Sequence, residues 1–314
     1  MTSFNRREWL VGTGAALTAG AVSRSASAQP TQPEPTTFRY CLNTSTIRGQ
    51  KLGIVREIEV ASKAGYDAIE PWVRDIESYQ QDGGSLKDLR KRIEDAGLTV
   101  ESAIGFAPWI VDDETTRKRG LEQAKREMNM LAEIGGKRLA APPSGATNQT
   151  DLDLFAAAKR YGELCKIGDE TGVVPQVEVW GFSKSLSRLG ESVFVAIESG
   201  HPSACLLPDV YHIYKGGSDF SGLKMLGPQA VHVFHMNDYP ADPPRETIND
   251  RDRVFPGDGV APLTDILQLM HSVGFAGVLS LELFNPKYWE QDAIEVAQTG
   301  LRKMQDAVAT AFSS

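Results

Sequence analysis

The chain predicts an α/β fold, a single closed (β/α)8 barrel of parallel strands. Three observations carry this. Seven times the chain repeats one phrase, in which an amphipathic helical stretch ends in glycine and a short apolar, β-branched run follows. A first strand near Phe38 to Ser45 precedes these phrases, so eight strands alternate with helices, and strands joined by helices lie parallel. The length of 314 residues suits a barrel, which commonly takes about 250. The competing doubly wound sheet shows a Gly-rich phosphate loop after its first strand, whereas Asn43-Thr44-Ser45-Thr46 stands there in this chain.

Taken in order, residues 1–28 stand apart. Arg6 and Arg7 precede an uncharged stretch from Val11 to Val22, and Ala26-Ser27-Ala28 supplies a small-residue cleavage site. This pattern is that of a twin-arginine-type signal peptide, which moves folded proteins across a bacterial inner membrane and makes the mature protein periplasmic. With about a dozen apolar and small residues it is shorter than the roughly 20 that span a bilayer, so no stable membrane anchoring is expected after cleavage. Residues 29–37 contain Pro30, Pro33 and Pro35 and read as an extended linker.

Residues 38–314 form the single TIM-barrel domain. The junctions read ASKAG-YDAIEPW, IEDAG-LTVESAI, LAEIGG-KRLAAP, DETG-VVPQVEVW, IESG-HPSACLLPD, MLG-PQAVHVFH and HSVG-FAGVLSLEL, each with Gly where a left-handed helix C-cap is wanted. Helices are predicted over about 51–64, 85–96, 114–134, 151–171, 185–199, 219–226, 262–273 and 290–311. The loop from Tyr239 to Gly259, after strand seven, is longer than a compact domain needs and falls on the catalytic face of a barrel.

Composition narrows the partners. The chain is 41% hydrophobic and 24% charged, enough for a sizeable core, and its formal charge is −8. An acidic surface gains nothing from a phosphate backbone or an anionic bilayer, which excludes nucleic acid and favours a small molecule. Cys41, Cys165 and Cys205 are odd in number, lack a short-spaced metal pair and sit in apolar runs, so they read as buried small hydrophobes.

An acid in an apolar strand must be paired or bind something. Glu178 in PQVEVW, Asp209 in CLLPDVYH, His235 in VHVFHMND and Glu282 in LSLELF hold equivalent places at the ends of strands five to eight. Neighbouring barrel strands bring them together, and three carboxylates with one imidazole form an oxygen-rich cage for one divalent metal ion: Mn²⁺, Mg²⁺ or Co²⁺, with Zn²⁺ admissible. Strand parity turns His232 to the opposite side from His235, toward the helices. His212 follows Asp209 where the backbone turns, and is a candidate substrate contact. His201 and His271 carry no functional case. Trp72, Phe106, Trp109 and Trp180 either wall a sugar site or pack beneath the loops.

These residues resemble the sugar phosphate isomerase/epimerase superfamily with xylose isomerase-like barrels, and within it the inosose isomerase branch. The resemblance spans the mature chain and is sharpest in DVYHIYKGGS, in HVFHMNDYPADPPRETINDRDRVFPGDG and in VLSLELFNPKYW. It implies Glu178, Asp209, His235 and Glu282 as metal ligands and His212 and Arg253 as substrate contacts. It also implies Glu70, in AIEPW, as the acid that closes strand two on the substrate side.

The expected activity is a metal-dependent isomerase or epimerase acting on a keto sugar or keto-polyol through an enediolate, with Glu178 and Glu282 moving the proton and His212 and Arg253 steadying the oxyanion. A lyase or dehydratase using the same enediolate is the alternative. A phosphodiester endonuclease would need histidines from early strands, but every histidine lies at position 201 or later. With no cluster of Arg or Lys along the chain, an unphosphorylated carbohydrate is the expected substrate.

Export is directly testable. Replacing Arg6 and Arg7 together by Lys should retain the protein in the cytoplasm, as read by cell fractionation; a processed periplasmic form of the variant would overturn the pathway assignment.

Overall fold

The computed structural model describes residues 38–313, and the signal peptide and linker expected over 1–28 and 29–37 lie outside the described residues. The strands are β1 (Arg39–Asn43), β2 (Ala68–Glu70), β3 (Thr99–Val100), β4 (Arg138–Ala141), β5 (Val174–Glu178), β6 (Cys205–Leu207), β7 (Val233–Met236) and β8 (Val278–Leu281). One ladder runs β3-β2-β1-β8-β7 and a second runs β4-β5-β6. Two seams close the ring. At the first, Ala103 donates to the Arg138 carbonyl at 3.1 Å and accepts from Ala140 at 2.9 Å; at the second, the N–H groups of Leu206 and His235 reach the carbonyls of Ala230 and Pro208 at 2.8 and 3.0 Å. Every strand ladder is parallel, so the expected barrel is present.

Around it run α1 (Ile54–Ala64), α2 (Val73–Gln81), α3 (Leu86–Asp95), α4 (Glu114–Glu133), α5 (Leu154–Thr171), α6 (Leu189–Glu198), α7 (Val210–Lys215), α8 (Leu263–Ser272), α9 (Pro286–Trp289) and α10 (Ala293–Phe312). The junction glycines act as C-caps: Gly65 and Gly172 end α1 and α5 in the left-handed region, at φ 95° and 76°. Gly227 departs from the pattern. The helix expected at 219–226 is a 3-10 turn, Phe220–Met225, and its cap Leu226 is extended. The sequence reading also missed α2 and α7, because both start three residues after the last residue of a strand and leave no room for a separate apolar period. The helix expected at 290–311 is α10, whose N-cap Asp292 accepts from Ile294 and Glu295, and the short α9 before it was not expected. No helix among the described residues is long and apolar enough to cross a membrane.

Side-chain parity positions the site. Register pairs Asn43 with Glu70, Cys41 with Ser280 and His235 with Ser280. Leu42, Ile69, Val177, Phe234, Met236, Leu279 and Leu281 alternate with these residues and join the shell packed against the helices. Asn43, Glu70, Glu178, His235 and Glu282 therefore share the barrel interior, at the end where the strands stop. His232 has the opposite parity and stays out of the site. Cys41, Cys165 and Cys205 are free and buried, and burial pushes the thiols of Cys165 and Cys205 up to about 12.

At the start of the strands a separate ionic network ties three of them. Glu101 accepts from Arg39 at 2.6 Å, from Lys137 at 2.8 Å and from the Thr99 hydroxyl at 2.8 Å. Burial alone would raise its pKa, but Lys137, Arg39 and Thr99 outweigh that and hold it at about 2. Such a group stabilises the fold above its unfolded value of about 4.3, and this is lost as pH falls from there through about 2. The arms of Arg39 and Lys137 are 41% and 50% exposed, so water screens the network. Glu101→Gln should cost about 1–2 kcal/mol at pH 7 in urea unfolding, with the gap to wild type closing between about pH 4 and 2; an undiminished gap at pH 2 would contradict this origin.

Candidate active site

The site grows from the last residues of the strands. Asp209 is the N-cap of α7, and its Oδ1 accepts from the His212 N–H at 2.7 Å. Its Oδ2 accepts from Asn237 at 2.8 Å, while the Asn237 carbonyl oxygen accepts from the Tyr211 N–H at 2.9 Å. His235, the penultimate residue of β7, has no exposed surface, and its Nε2–H donates to Glu70 at 3.0 Å. Its Nδ1 lies 3.2 Å from Glu282 and 3.7 Å from Asp209 and has no hydrogen-bond partner. Asp209, His235 and Glu282 each offer one ligand atom, all within 4.8 Å of one another. A buried Nδ1 without a hydrogen-bond partner, facing two carboxylates and fixed from behind by a third, has the form of an imidazole ready to ligate a divalent cation.

Glu178 stands off from that trio. It is buried, its Oε2 has no hydrogen-bond partner, and it lines the cavity alongside Glu282. Burial, reinforced by the charge of Glu282, raises its pKa above the carboxylate range. Burial opposes the charge on Glu282 as well, yet His235 and Arg253 outweigh it and lower that pKa. Two carboxyls in one site are thus driven apart, one toward holding a proton and one toward losing it.

Glu70 is corrected from the sequence reading. It is fully buried and lies behind the ligand set: its Oε2 accepts from His235, from the Ser280 hydroxyl at 2.7 Å and from Asn43 at 2.9 Å. It orients His235 and does not wall the cavity. Arg253 is fully buried, with its Nη1 donating to Asp209 at 3.1 Å and Glu282 at 2.8 Å, and its Nη2 donating to Asp250 and facing His212 Nε2 at 3.0 Å. Burial works against its charge, and Asp209, Asp250 and Glu282 more than restore it.

His212 is likewise buried, and burial followed by the charge of Arg253 lowers its pKa to about 4, so the ring is neutral at pH 7. Its Nδ1 faces the Gly181 N–H at 3.3 Å, so donors face both ring nitrogens, and a neutral imidazole accepts at only one. A side chain at Gly181 would meet the His212 carbonyl at 2.3 Å, which keeps this approach for glycine.

These groups open into a cavity of about 220 Å³ lined by Trp72, Phe106, Trp180, Phe182 and Phe284, with Arg48, Asp250 and Arg251 at its polar edge. Of the two places expected for these aromatics, Trp72, Phe106 and Trp180 take the cavity wall, and Trp109 takes the other: it is buried against Tyr161 with its indole N–H on the Pro142 carbonyl, part of the core beneath the loops. The long loop is gathered by Asp238, whose carboxylate accepts from the backbone of Tyr239, Gly257, Gly259 and Ala261. Sequence reasoning missed Asn43, Asn237 and Asp238 as organisers of the site. Asn43 could have been found by its place at a strand end, whereas the partners of Asp238 are backbone groups that carry no sequence signal.

Comparison with known proteins agrees with the barrel fold. The model of the family described as xylose isomerase-like TIM barrel matches residues 58–307. An inosose isomerase from Bacillus velezensis is 25% identical over 279 residues, which cover 88% of this chain and 99% of that protein. A 3-dehydroshikimate dehydratase from Pseudomonas aeruginosa is 27% identical over 261 residues, covering 79% of this chain and 39% of that protein. Among solved structures, that of the IOLI protein with a bound zinc atom superposes with a TM-score of 0.81 at 24% identity, over 88% of this chain and 100% of that one.

Removing the charge behind His235 should weaken metal binding. Glu70→Gln should lower affinity for a divalent ion about tenfold or more, with the fold intact by circular dichroism, in a calorimetric metal titration; unchanged affinity would reduce Glu70 to a packing residue.

Proposed function

We propose, from the premise that the chain belongs to the xylose isomerase-like TIM-barrel family, that it is a metal-dependent isomerase or epimerase of a keto sugar or keto-polyol. The observation that carries this reading is the juxtaposition of a buried Asp209–His235–Glu282 ligand set with a second carboxyl, Glu178, on the wall of one aromatic-lined cavity. The residues fit a divalent ion: Asp209, His235 and Glu282 would hold it, with Glu178 at hand as a fourth donor. A bound ion of this kind supplies a Lewis acid that polarises a carbonyl and its adjacent hydroxyl, and Mn²⁺, Mg²⁺, Co²⁺ and Zn²⁺ all suit the donor set.

The chain's own groups supply the proton transfer. Glu282, whose carboxylate the Arg253 guanidinium meets at 2.8 Å, is suited to abstract the proton α to the carbonyl, and the buried Glu178 on the cavity wall is suited to return one. Delivery to the neighbouring carbon completes an isomerisation; delivery to the opposite face of the same carbon completes an epimerisation. Arg253, held against His212, places a fixed positive charge beside the oxygen that gains charge. Trp72, Phe106 and Trp180 exclude water and offer ring faces to the apolar side of the sugar.

The similarity to a 3-dehydroshikimate dehydratase supports a second reading. A dehydratase or other lyase would begin with the same abstraction and then expel a β-substituent in place of reprotonation. Export by the twin-arginine route also belongs to this proposal, since it would place a folded enzyme in the periplasm.

Glu178→Gln and Glu282→Gln each keep the side-chain volume and remove the proton carrier. With metal content measured in the same preparations, kcat should fall about 10²- to 10⁴-fold, and solvent deuterium should cease to enter candidate keto sugars. A variant that retains its metal and near-wild-type turnover would remove that residue from the chemistry. Loss of water from the substrate, detected by mass, would move the assignment to the dehydratase reading.

A further inference from the structure

Three arginines line the cavity, and only one of them is neutralised. Arg253 is committed to Asp209, Glu282 and Asp250. Arg48 lies on the 3-10 turn Thr44–Gln50 that follows β1. Its guanidinium carbon is 5.1 Å from the ring centroid of Trp72 and 4.9 Å from those of Phe284 and Trp289. Packing on ring faces orders the group without using any N–H, and among the described residues no hydrogen bond or ion pair reaches it. Arg251, on the 3-10 turn Asp250–Asp252 of the long loop, is exposed, and its side chain likewise has no acidic partner among the described residues.

Two free guanidiniums edging a cavity whose floor holds Glu178 and Glu282 give the site a polarity. An anionic group on a ligand is drawn to these two guanidiniums at the edge, which leaves the uncharged end toward the catalytic carboxyls. We propose that Arg48 and Arg251 bind a carboxylate of the substrate, so that the preferred substrate is a keto-sugar acid and not a neutral keto sugar. A planar guanidinium fork matches the two coplanar oxygens of a carboxylate, whereas a phosphate needs donors from several directions that two side chains do not supply. The proposal rests on the cavity being the sugar site argued above, and it names the class of sugar.

Trp72 and Trp180 line the cavity, so their fluorescence reports occupancy. Titrations of the metal-analysed protein would use D-glucuronate, D-glucose and D-glucose 6-phosphate as probes. Glucuronate should bind about 10- to 100-fold more tightly than glucose, the range expected of charge-assisted hydrogen bonds. Arg48→Gln and Arg251→Gln should each weaken glucuronate binding about tenfold, and the double variant should abolish the preference. Arg251 is exposed, so its variant tests the pair even if losing the ring packing of Arg48 perturbs the first loop. Glucuronate binding no tighter than glucose, or not binding at all, overturns the proposal, as does a preference that survives in the double variant. Tighter binding of glucose 6-phosphate than of glucuronate overturns the carboxylate assignment in favour of a phosphate site. Deuterium exchange is measured separately on the same preparations: its absence counts against the isomerase reading, while the binding ratio alone decides the carboxylate site.

Discussion

Concentrated negative charge in a dry barrel mouth is the constraint on which the rest of the structure depends. Glu70, Glu178, Asp209 and Glu282 are all buried around His235, where water cannot screen them. Such a group persists only if every charge is answered, and each neighbour is placed to do so. Arg253 answers Asp209 and Glu282, Ser280 and Asn43 donate to Glu70, and Asn237 donates to Asp209. At Glu178 burial and the charge of Glu282 raise the carboxyl, and His235 and Trp180 offset this only in part. The contrast between the two candidate catalytic carboxyls follows from the charges beside them at equal burial: Glu282 has His235 and Arg253, whereas Glu178 has Glu282.

The same constraint links the interior to the loops. Asn43 bonds both Glu70 and Glu282 and accepts from the Trp72 indole, so the first strand, the rear of the ligand set and the cavity wall share one side chain. Asp238, immediately after the strand that carries His235, gathers backbone from both ends of the long loop, and its backbone pairs with Val254, beside Arg253. Gly259 allows this closure, since a Cβ there would meet the Asp238 carboxylate at 2.3 Å. The guanidinium that balances the acids is thereby delivered by a loop anchored to the strand that needs it.

Charge is organised in the opposite sense at the other end of the strands, where Arg39, Lys137 and Arg138 surround the single carboxylate of Glu101. That network keeps its acid ionised with an excess of cations close to solvent. The catalytic end has an excess of acids and a cavity. Stability and chemistry therefore occupy opposite rims of one barrel, as the fold's geometry allows when side chains alternate along short strands.

Much of this was determined by the sequence by itself. Repeated glycine junctions and apolar runs specify eight parallel strands, because a C-cap and a period of two are local properties of the chain. The same period of two separates His235 from His232 and sets Glu178 and Glu282 inward. What only the tertiary structure decided are the partnerships between distant elements. Glu70 stands behind His235 across 165 positions, and Asn43 meets Glu282 across 239, because the barrel closes β1 onto β8. No run of basic residues marks an anion site in the chain, yet the first loop and the long loop bring Arg48 and Arg251 to one cavity. Trp109 went the other way, into the core, because its indole N–H found a backbone carbonyl there. Local patterns fix which side of a strand a residue faces; ring closure and loop packing decide what it meets.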